Sequence, residues 1–234
     1  MPPAPQPSYA WGVPPMILPP PPPPKKSRVG LVVGIVAGVF VAVLAILLTL
    51  VLIAVRAESG FPEADFALFL PRTLLDDRYE LTKDLSDTVG RRMEKGASGI
   101  WDAKVTHAVV GRYSLGGDPG KGALVVTGFY GRFKHADKTR ATALRGDSEA
   151  EGVTVTVPPR DVTPEGSTVR IGCEVLTRKQ ADTTITYPVC AWADGNTAAL
   201  VAEMTFGGAS ADLDLKAAAR TTLRVRSETL KPIR

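Results

Sequence analysis

The feature that most constrains this chain is an apolar stretch from Val29 to Val55. Its 27 residues carry no charge, and Arg28 and Arg56 flank it. A helix of this length would extend about 40 Å, which exceeds the roughly 30 Å hydrocarbon core of a bilayer. A buried helix of a globular domain is a poor alternative, because such helices are usually shorter. The stretch therefore predicts a single transmembrane helix, with the lipid bilayer as its partner.

A cleaved signal peptide is the competing interpretation, and the length of the stretch argues against it. Signal peptides have apolar regions of about 7–15 residues. Val55-Arg56-Ala57 at its end loosely satisfies the small-x-small cleavage pattern, but it places an arginine in the middle. Lys25, Lys26 and Arg28 precede the stretch, whereas no acidic residue occurs before Glu58. The positive-inside rule therefore predicts a retained anchor in the cell membrane, with a cytoplasmic N-terminus and an extracytoplasmic C-terminal domain.

The residues before the anchor form a proline-rich segment that ends in six consecutive prolines, Pro19–Pro24. Such a run lacks amide donors and favours an extended, solvated polyproline II conformation. Residues 1–28 are thus predicted to be a disordered cytoplasmic tail. A spacer role is favoured, and a docking ligand for an aromatic-lined groove is the alternative. Within the anchor, Gly30, Gly34 and Gly38 have the small-xxx-small spacing that lets helices pack closely, so a homodimer is one hypothesis.

The charge of the chain is concentrated at the anchor. Of the 28 lysines and arginines, four flank the apolar stretch, which leaves 24 against 24 acidic residues from Ala57 onward. A neutral domain lacks the basic surface that phosphate backbones require, so nucleic acid is excluded as a partner. The outer segment is long enough for one domain with a hydrophobic core.

Alternating and helical patterns after the anchor predict an α+β fold with one largely antiparallel sheet and a few helices. Residues 56–71 read as a linker whose apolar end docks on a domain spanning 72–234. Alternation predicts seven strands: Arg78–Lys83, Ala103–Leu115, Ala123–Phe129, Gly152–Val157, Thr168–Arg178, Thr183–Ala193 and Ala198–Phe206. Val105, Val109 and Tyr113 are expected on one face of the second strand, and Pro158-Pro159 is expected to end the fourth. Helices are expected from Ser86 to Lys95, from Lys134 to Leu144, and from Ala211 to Thr229 with Ser210 as N-cap.

The two cysteines, Cys173 and Cys190, are placed symmetrically about a turn between Ala181 and Asp182. In a hairpin of that register they lie directly opposite each other, close enough to form a disulfide. Trp192 then lies on the same face and covers the bridge. A redox pair is the alternative, but catalytic dithiols are usually close in sequence, so a structural disulfide in an oxidising compartment is favoured.

No catalytic, cofactor or metal site is predicted. The glycine-rich segment Gly116–Gly122 lacks the spacing of a phosphate-binding loop and is typical of a hairpin turn. His107 and His135 are isolated and distant from the cysteines, which disfavours a zinc site. The carboxylate pairs Asp76-Asp77 and Asp212/Asp214 are interpreted as solvated surface and as helix-start residues.

These features together resemble a known group of proteins. The proline-rich start, Lys25-Lys26-Ser27-Arg28 before a Gly/Val-rich anchor, and Cys190-Ala191-Trp192-Ala193-Asp194 with Thr197 carry the resemblance. They resemble the uncharacterised single-pass membrane proteins of streptomycete-type actinobacteria. The resemblance implies a bacterial cell membrane and a domain facing the wall, and it carries over no catalytic residue.

The leading functional hypothesis is a non-enzymatic anchored domain that binds a cell-envelope component, a small ligand or a partner protein. An envelope-acting hydrolase or transferase is the alternative, although no nucleophile elbow or positioned base is recognisable. A structural adaptor between the cytoplasm and the wall is a third hypothesis that rests on the tail alone.

Overall fold

A computed structural model describes residues 43–53, 60–180, 183–206 and 213–233. The chain divides into two units, Met1–Ile53 and Ala54–Arg234. In the first unit, residues 43–53 form a helix, α1. Among the described residues, no helix is both long and apolar enough to cross a membrane. The predicted tail, Gly30, Gly34, Gly38 and the larger part of the predicted span lie outside the described residues.

The second unit contains ten described strands and three described α-helices. The strands are β1 (Phe66–Leu68), β2 (Thr73–Leu74), β3 (Tyr79–Asp84), β4 (Ala103–Leu115), β5 (Gly122–Phe133), β6 (Val153–Asp161), β7 (Ile171–Gln180), β8 (Thr183–Ala193), β9 (Thr197–Thr205) and β10 (Leu230–Pro232). The helices are α2 (Arg91–Ala97), which follows a π-helical turn at Ser86–Gly90, α3 (Ala136–Ser148) and α4 (Leu215–Thr229).

Eight strands form one antiparallel sheet in the order β2-β3-β4-β5-β9-β8-β7-β6. The predicted α+β class with a largely antiparallel sheet is confirmed. β1 and β10 pair separately, with Phe66 opposite Pro232 and Leu68 opposite Leu230. Leu68 is buried in the core, so the apolar end of the predicted linker packs on the domain.

The two faces of the sheet are covered by different helices. On one face, Leu215, Ala219 and Val225 of α4 pack with Trp192 and the cysteines in the main core. On the other face, Leu144 of α3 packs against residues of β7 and β8. Successive strand residues point to opposite faces, so the consecutively buried residues 171–176 of β7 and 189–193 of β8 are covered on both sides of the sheet. Apart from Glu174, these residues are apolar.

A β-bulge in β4 overturns the predicted facing of side chains. In β4 the register shifts between Val105 and His107, so one extra residue, Thr106, is inserted. A one-residue shift moves the following side chains to the opposite face. Val105 therefore packs with Phe129 and Ala103, whereas Val109 belongs to the main core. The expectation that Val105 shares a face with Val109 and Tyr113 is wrong.

Two predicted element boundaries are also wrong. β6 continues through Pro158-Pro159 to Asp161, with register shifts on either side of Val157. It is an edge strand, where proline is tolerated because one side of the backbone needs no ladder partner. The last helix begins at Leu215 rather than Ala211, and its N-cap is Asp214, whose side chain accepts from the Lys216 N–H.

Candidate functional site

The predicted disulfide is present and occupies the predicted register. Cys173 lies directly opposite Cys190 in the β7–β8 hairpin, their Cα atoms are 4.0 Å apart, and the sulfurs are bonded. Both cysteines and Trp192 are buried in the main core, on the same face of the sheet. Apolar side chains enclose the bridge, and its visible role is to tie β7 to β8.

The Cys-x-Trp-x-Asp segment forms a hydrogen-bonded network at the β8–β9 turn. The Trp192 indole N–H donates to Thr197 Oγ1 at 3.2 Å, and that hydroxyl donates to Asp194 Oδ2 at 2.8 Å. Asp194 Oδ1 accepts from the backbone N–H groups of Asn196 and Thr197. Asp194 Oδ2 also accepts from Arg226 of α4 at 2.7 Å. The segment therefore connects the disulfide hairpin to the last helix, which is a structural role.

Asn196 extends this network to the start of the domain. Its Nδ2 donates to the Glu63 carbonyl in a short hydrogen bond, and its Oδ1 accepts from the Asp65 N–H at 3.2 Å. The β8–β9 turn thus holds the chain where it enters the fold. This role could not be read from the sequence, because the partners are more than 130 residues apart.

A cavity of about 540 Å³ lies on the α3 face of the sheet. Its volume falls within the 300–1,000 Å³ range of small-molecule sites. The sheet contributes Val105, Phe129, Phe133 and Leu200 to the lining. Thr127 is the polar group among the β5 residues that line it. The bulge at Thr106 is what turns Val105 toward this cavity, so the irregularity in β4 has a direct effect on the site.

One wall of the cavity is formed by α2 and the loop after it, through Met93, Ala97, Ile100 and Trp101. This wall is fixed to the edge of β4 by side chains. Glu94 Oε1 accepts from the Ala108 N–H at 2.8 Å and lies 2.7 Å from His107 Nδ1. Ser86 Oγ accepts from the Val110 N–H. These contacts satisfy edge groups that would otherwise be open to pairing with another chain.

The glycine at the start of α2 explains how closely this wall approaches the strand. A Cβ added to Gly90 would lie 2.8 Å from the Ala108 carbonyl oxygen. Glycine weakens helices, but at this position it lets the π-helical turn contact β4.

The opposite wall is α3, which contributes Lys138, Thr142, Ala143, Gly146 and Asp147. The alanine and glycine leave space, whereas larger side chains there would fill the cavity. Leu144 on the adjacent side of the helix is buried against β7 and β8. α3 is therefore held to the sheet by one side and lines the cavity with another.

Two carboxyl groups, those of Asp102 and Asp147, line the cavity near opposite ends of α3. Near the start of α3, Lys138 Nζ donates to Asp102 Oδ2 at 2.7 Å, and this hydrogen bond lowers the pKa of the largely buried Asp102 carboxyl. Near the end of α3, burial raises the pKa of Asp147, and the charge of Arg178 partly opposes the shift. The first carboxylate is neutralised by an ion pair, whereas the second is held in an environment that disfavours its charge.

The mouth of the cavity carries exposed apolar side chains. Trp101 is 69% exposed and Ile100 is 46% exposed, although both line the cavity. The Lys138 ammonium lies 5.1 Å from the Trp101 ring centroid, and the His135 ring meets that indole edge-on at 5.9 Å. Large apolar residues exposed beside a concave apolar surface are typical of binding sites.

A further carboxyl group, that of Glu174, lies beneath α3. Glu174 is 1% exposed and shares a face of β7 with Gly172 and Leu176. α3 covers that face, since a Cβ on Gly172 would contact Leu144 and Arg140. Neither Glu174 oxygen has a hydrogen-bond partner among the described residues. Burial, together with the nearby charge of Asp147, raises the pKa of Glu174 to about 7.

The other sequence candidates lie outside the cavity. Asp76 and Asp77 are exposed and, with Leu75, have positive φ values of 57–60°, which form a left-handed turn. Asp76 pairs with Arg224 at 2.7 Å. The Gly116–Gly122 segment connects β4 and β5. Among the described residues, no group of histidine, cysteine and acidic side chains could hold a metal ion.

Comparisons with protein families, with curated proteins and with solved structures found no match to this chain. Sequence reasoning missed the cavity because its walls come from segments far apart in the chain. The adjacent apolar residues Ile100 and Trp101, between a predicted helix and a predicted strand, were the available signal.

Proposed function

We propose that the outer domain is a binding module for a small apolar ligand, which it holds in the cavity between α2, α3 and the sheet. The observation that carries this proposal is the cavity itself, with an aromatic and aliphatic lining and exposed Ile100 and Trp101 at its mouth. Transfer of apolar ligand surface from water to such a lining supplies the driving force for binding.

The lining also favours binding over catalysis. Its hydroxyl groups are those of Thr127, Thr139 and Thr142, and the described lining contains no serine, cysteine or histidine. Its lysine is in contact with Asp102. An envelope hydrolase or transferase, which would need a nucleophile with a positioned base, is the less supported alternative. A concave pocket of this size also favours a small cell-envelope component over a protein partner.

Attachment to the outer face of a bacterial cell membrane is the second part of the proposal. It is supported by the uncharged stretch Val29–Val55, the basic residues before it and the Cys173–Cys190 disulfide. The resemblance to streptomycete-type membrane proteins agrees with this location.

A reporter fused after Arg234 should be active only outside the cytoplasm, and activity inside would refute the orientation. The dimer hypothesis for Gly30, Gly34 and Gly38 is tested by comparing the cross-linking of the full chain that carries Gly34→Ile with the cross-linking of the wild type.

A pair of matched substitutions on α3 tests ligand binding. Ala143 lines the cavity, whereas Ala141, two residues earlier, is exposed and does not. The full chain in lipid nanodiscs is titrated with 2-naphthalenemethanol, a neutral apolar probe, and empty nanodiscs provide the background heat. We expect the wild type and Ala141→Phe to bind the probe and Ala143→Phe to lose binding. Equal binding by both variants, or no binding by the wild type, would contradict the proposed site.

A further inference from the structure

The charged groups of the cavity are arranged unevenly along α3. Its described lining has one cation, Lys138, and two carboxylates, Asp102 and Asp147. Lys138 and Asp102 are 2.7 Å apart and neutralise each other. Asp147 lies nine residues further along the helix, about 13 Å away at the α-helical rise. The cavity therefore has a neutral ion pair toward one end of this wall and a separate carboxylate toward the other.

The surroundings of Asp147 do not fully compensate its negative charge. Among the described residues, three ionisable groups interact with it: Arg178 and Glu174 on β7, and Tyr187 on β8. Arg178 also acts to lower the pKa of Tyr187, so its positive charge acts on two groups. Despite Arg178, the net effect of the environment is to raise the pKa of Asp147. A cation brought next to this carboxylate would offset the cost of its burial.

Resting on the proposed binding function, we infer that the ligand is an apolar molecule that carries a cationic group, such as an ammonium, positioned against Asp147. The apolar body lies over Phe129, Phe133 and Leu200, and the cation lies at the Asp147 end of α3. An anionic ligand fits less well, because the cation of the described lining is already bound by Asp102, and a ligand anion would add to the negative charge at Asp147 and Glu174.

A charge series on one apolar scaffold tests this inference. The full chain in nanodiscs is titrated at pH 7.5 with 2-naphthylmethylammonium, 2-naphthalenemethanol and 2-naphthoate, which carry positive, zero and negative charge. We expect the ammonium compound to bind roughly three- to tenfold more tightly than the alcohol, as for a partly exposed ion pair. The carboxylate should bind most weakly.

Two variants assign the preference to one residue. Asp147→Asn should abolish the difference in affinity between the ammonium compound and the alcohol. Glu149→Gln removes the same charge from an exposed position two residues away and should keep the preference. If the alcohol binds but the ammonium compound is no tighter, the inference is wrong and the binding function stands. If no probe binds, the binding function itself is wrong. Should Asp147→Asn fail to fold, the wild-type series still decides.

Discussion

Replacing Glu174 by glutamine should change how the stability of the outer domain depends on pH. The carboxyl group of Glu174 is 1% exposed, and its pKa in the folded domain is about 7, compared with an ordinary value of 4.5. Between these two pH values the folded domain retains a proton that the unfolded chain has lost. The free energy of unfolding therefore falls as pH rises through this window, and the Glu174 contribution is constant above pH 7.

The magnitude follows from the size of the shift. One pKa unit corresponds to about 1.4 kcal/mol, so the Glu174 contribution amounts to about 3 kcal/mol across the window. Glutamine has nearly the same shape and no proton to lose. Glu174→Gln should therefore match the wild type below pH 4.5, where Glu174 is neutral in both states. Above pH 7 it should be more stable by up to about 3 kcal/mol.

Urea unfolding of residues 56–234 from pH 4 to pH 8, followed by the fluorescence of buried Trp192, measures the effect. Glu149→Gln, at an exposed position, provides the control and should follow the wild-type curve. Asp147→Asn provides an independent check, because loss of its charge should lower the pKa of Glu174 and reduce the slope. If the Glu174→Gln and wild-type curves remain parallel across the whole range, Glu174 is hydrated or ionised in the folded domain, and the reasoning is refuted.

Four further substitutions test the architecture, each by urea unfolding. Asp194→Ala should destabilise the domain by about 3 kcal/mol or more, because it leaves the half-buried Arg226 and two turn amides without their acceptor. Asp77→Gly should stabilise it by up to about 1 kcal/mol, because φ is +60° at this exposed position and glycine adopts that conformation without strain. Gly90→Ala should destabilise the domain because its Cβ would meet the Ala108 carbonyl oxygen at 2.8 Å, whereas Gly96→Ala, with no atom within 4 Å, should stabilise α2 by up to about 1 kcal/mol.

Each of these predictions has an outcome that would contradict it. Arg224→Ala removes a partner from an exposed ion pair and should cost less than about 1 kcal/mol, so an equal cost for Asp194→Ala would show that burial has no effect. A destabilising Asp77→Gly would show that the side chain, rather than the backbone conformation, matters at that turn. Similar effects of Gly90→Ala and Gly96→Ala would refute the close approach to β4.

The sequence predicted the strands and the disulfide well because both depend on local rules. Alternation located β4, β7, β8 and β9, and the spacing of Cys173 and Cys190 about a turn gave their register. The bulges were not predictable, because a single inserted residue such as Thr106 leaves the local composition unchanged. Its effect is visible only when the neighbouring strand is in place.

The cavity and the burial of Glu174 could not be predicted from the sequence for a different reason. In the sequence, Glu174 between Cys173 and Val175 has the pattern of a polar residue on a solvated strand face. Whether this face of β7 is solvated depends on what packs against it. α3, from another part of the chain, covers the face and buries Glu174. The same tertiary placement creates the cavity, so neither feature has a signature in local periodicity.

The pairing of β1 with β10 has a mechanical consequence. Both chain ends leave this short ribbon at its Phe66–Pro232 rung, and just before that rung the chain is held to Asn196 of the β8–β9 turn through Glu63 and Asp65. Tension applied between the two ends would first load these contacts with Asn196 and would then separate the rungs one after another, beginning at Phe66–Pro232, as in opening a zipper. Hydrogen bonds that break one at a time yield at low force, so the ribbon would open before the strands of the eight-stranded sheet separated.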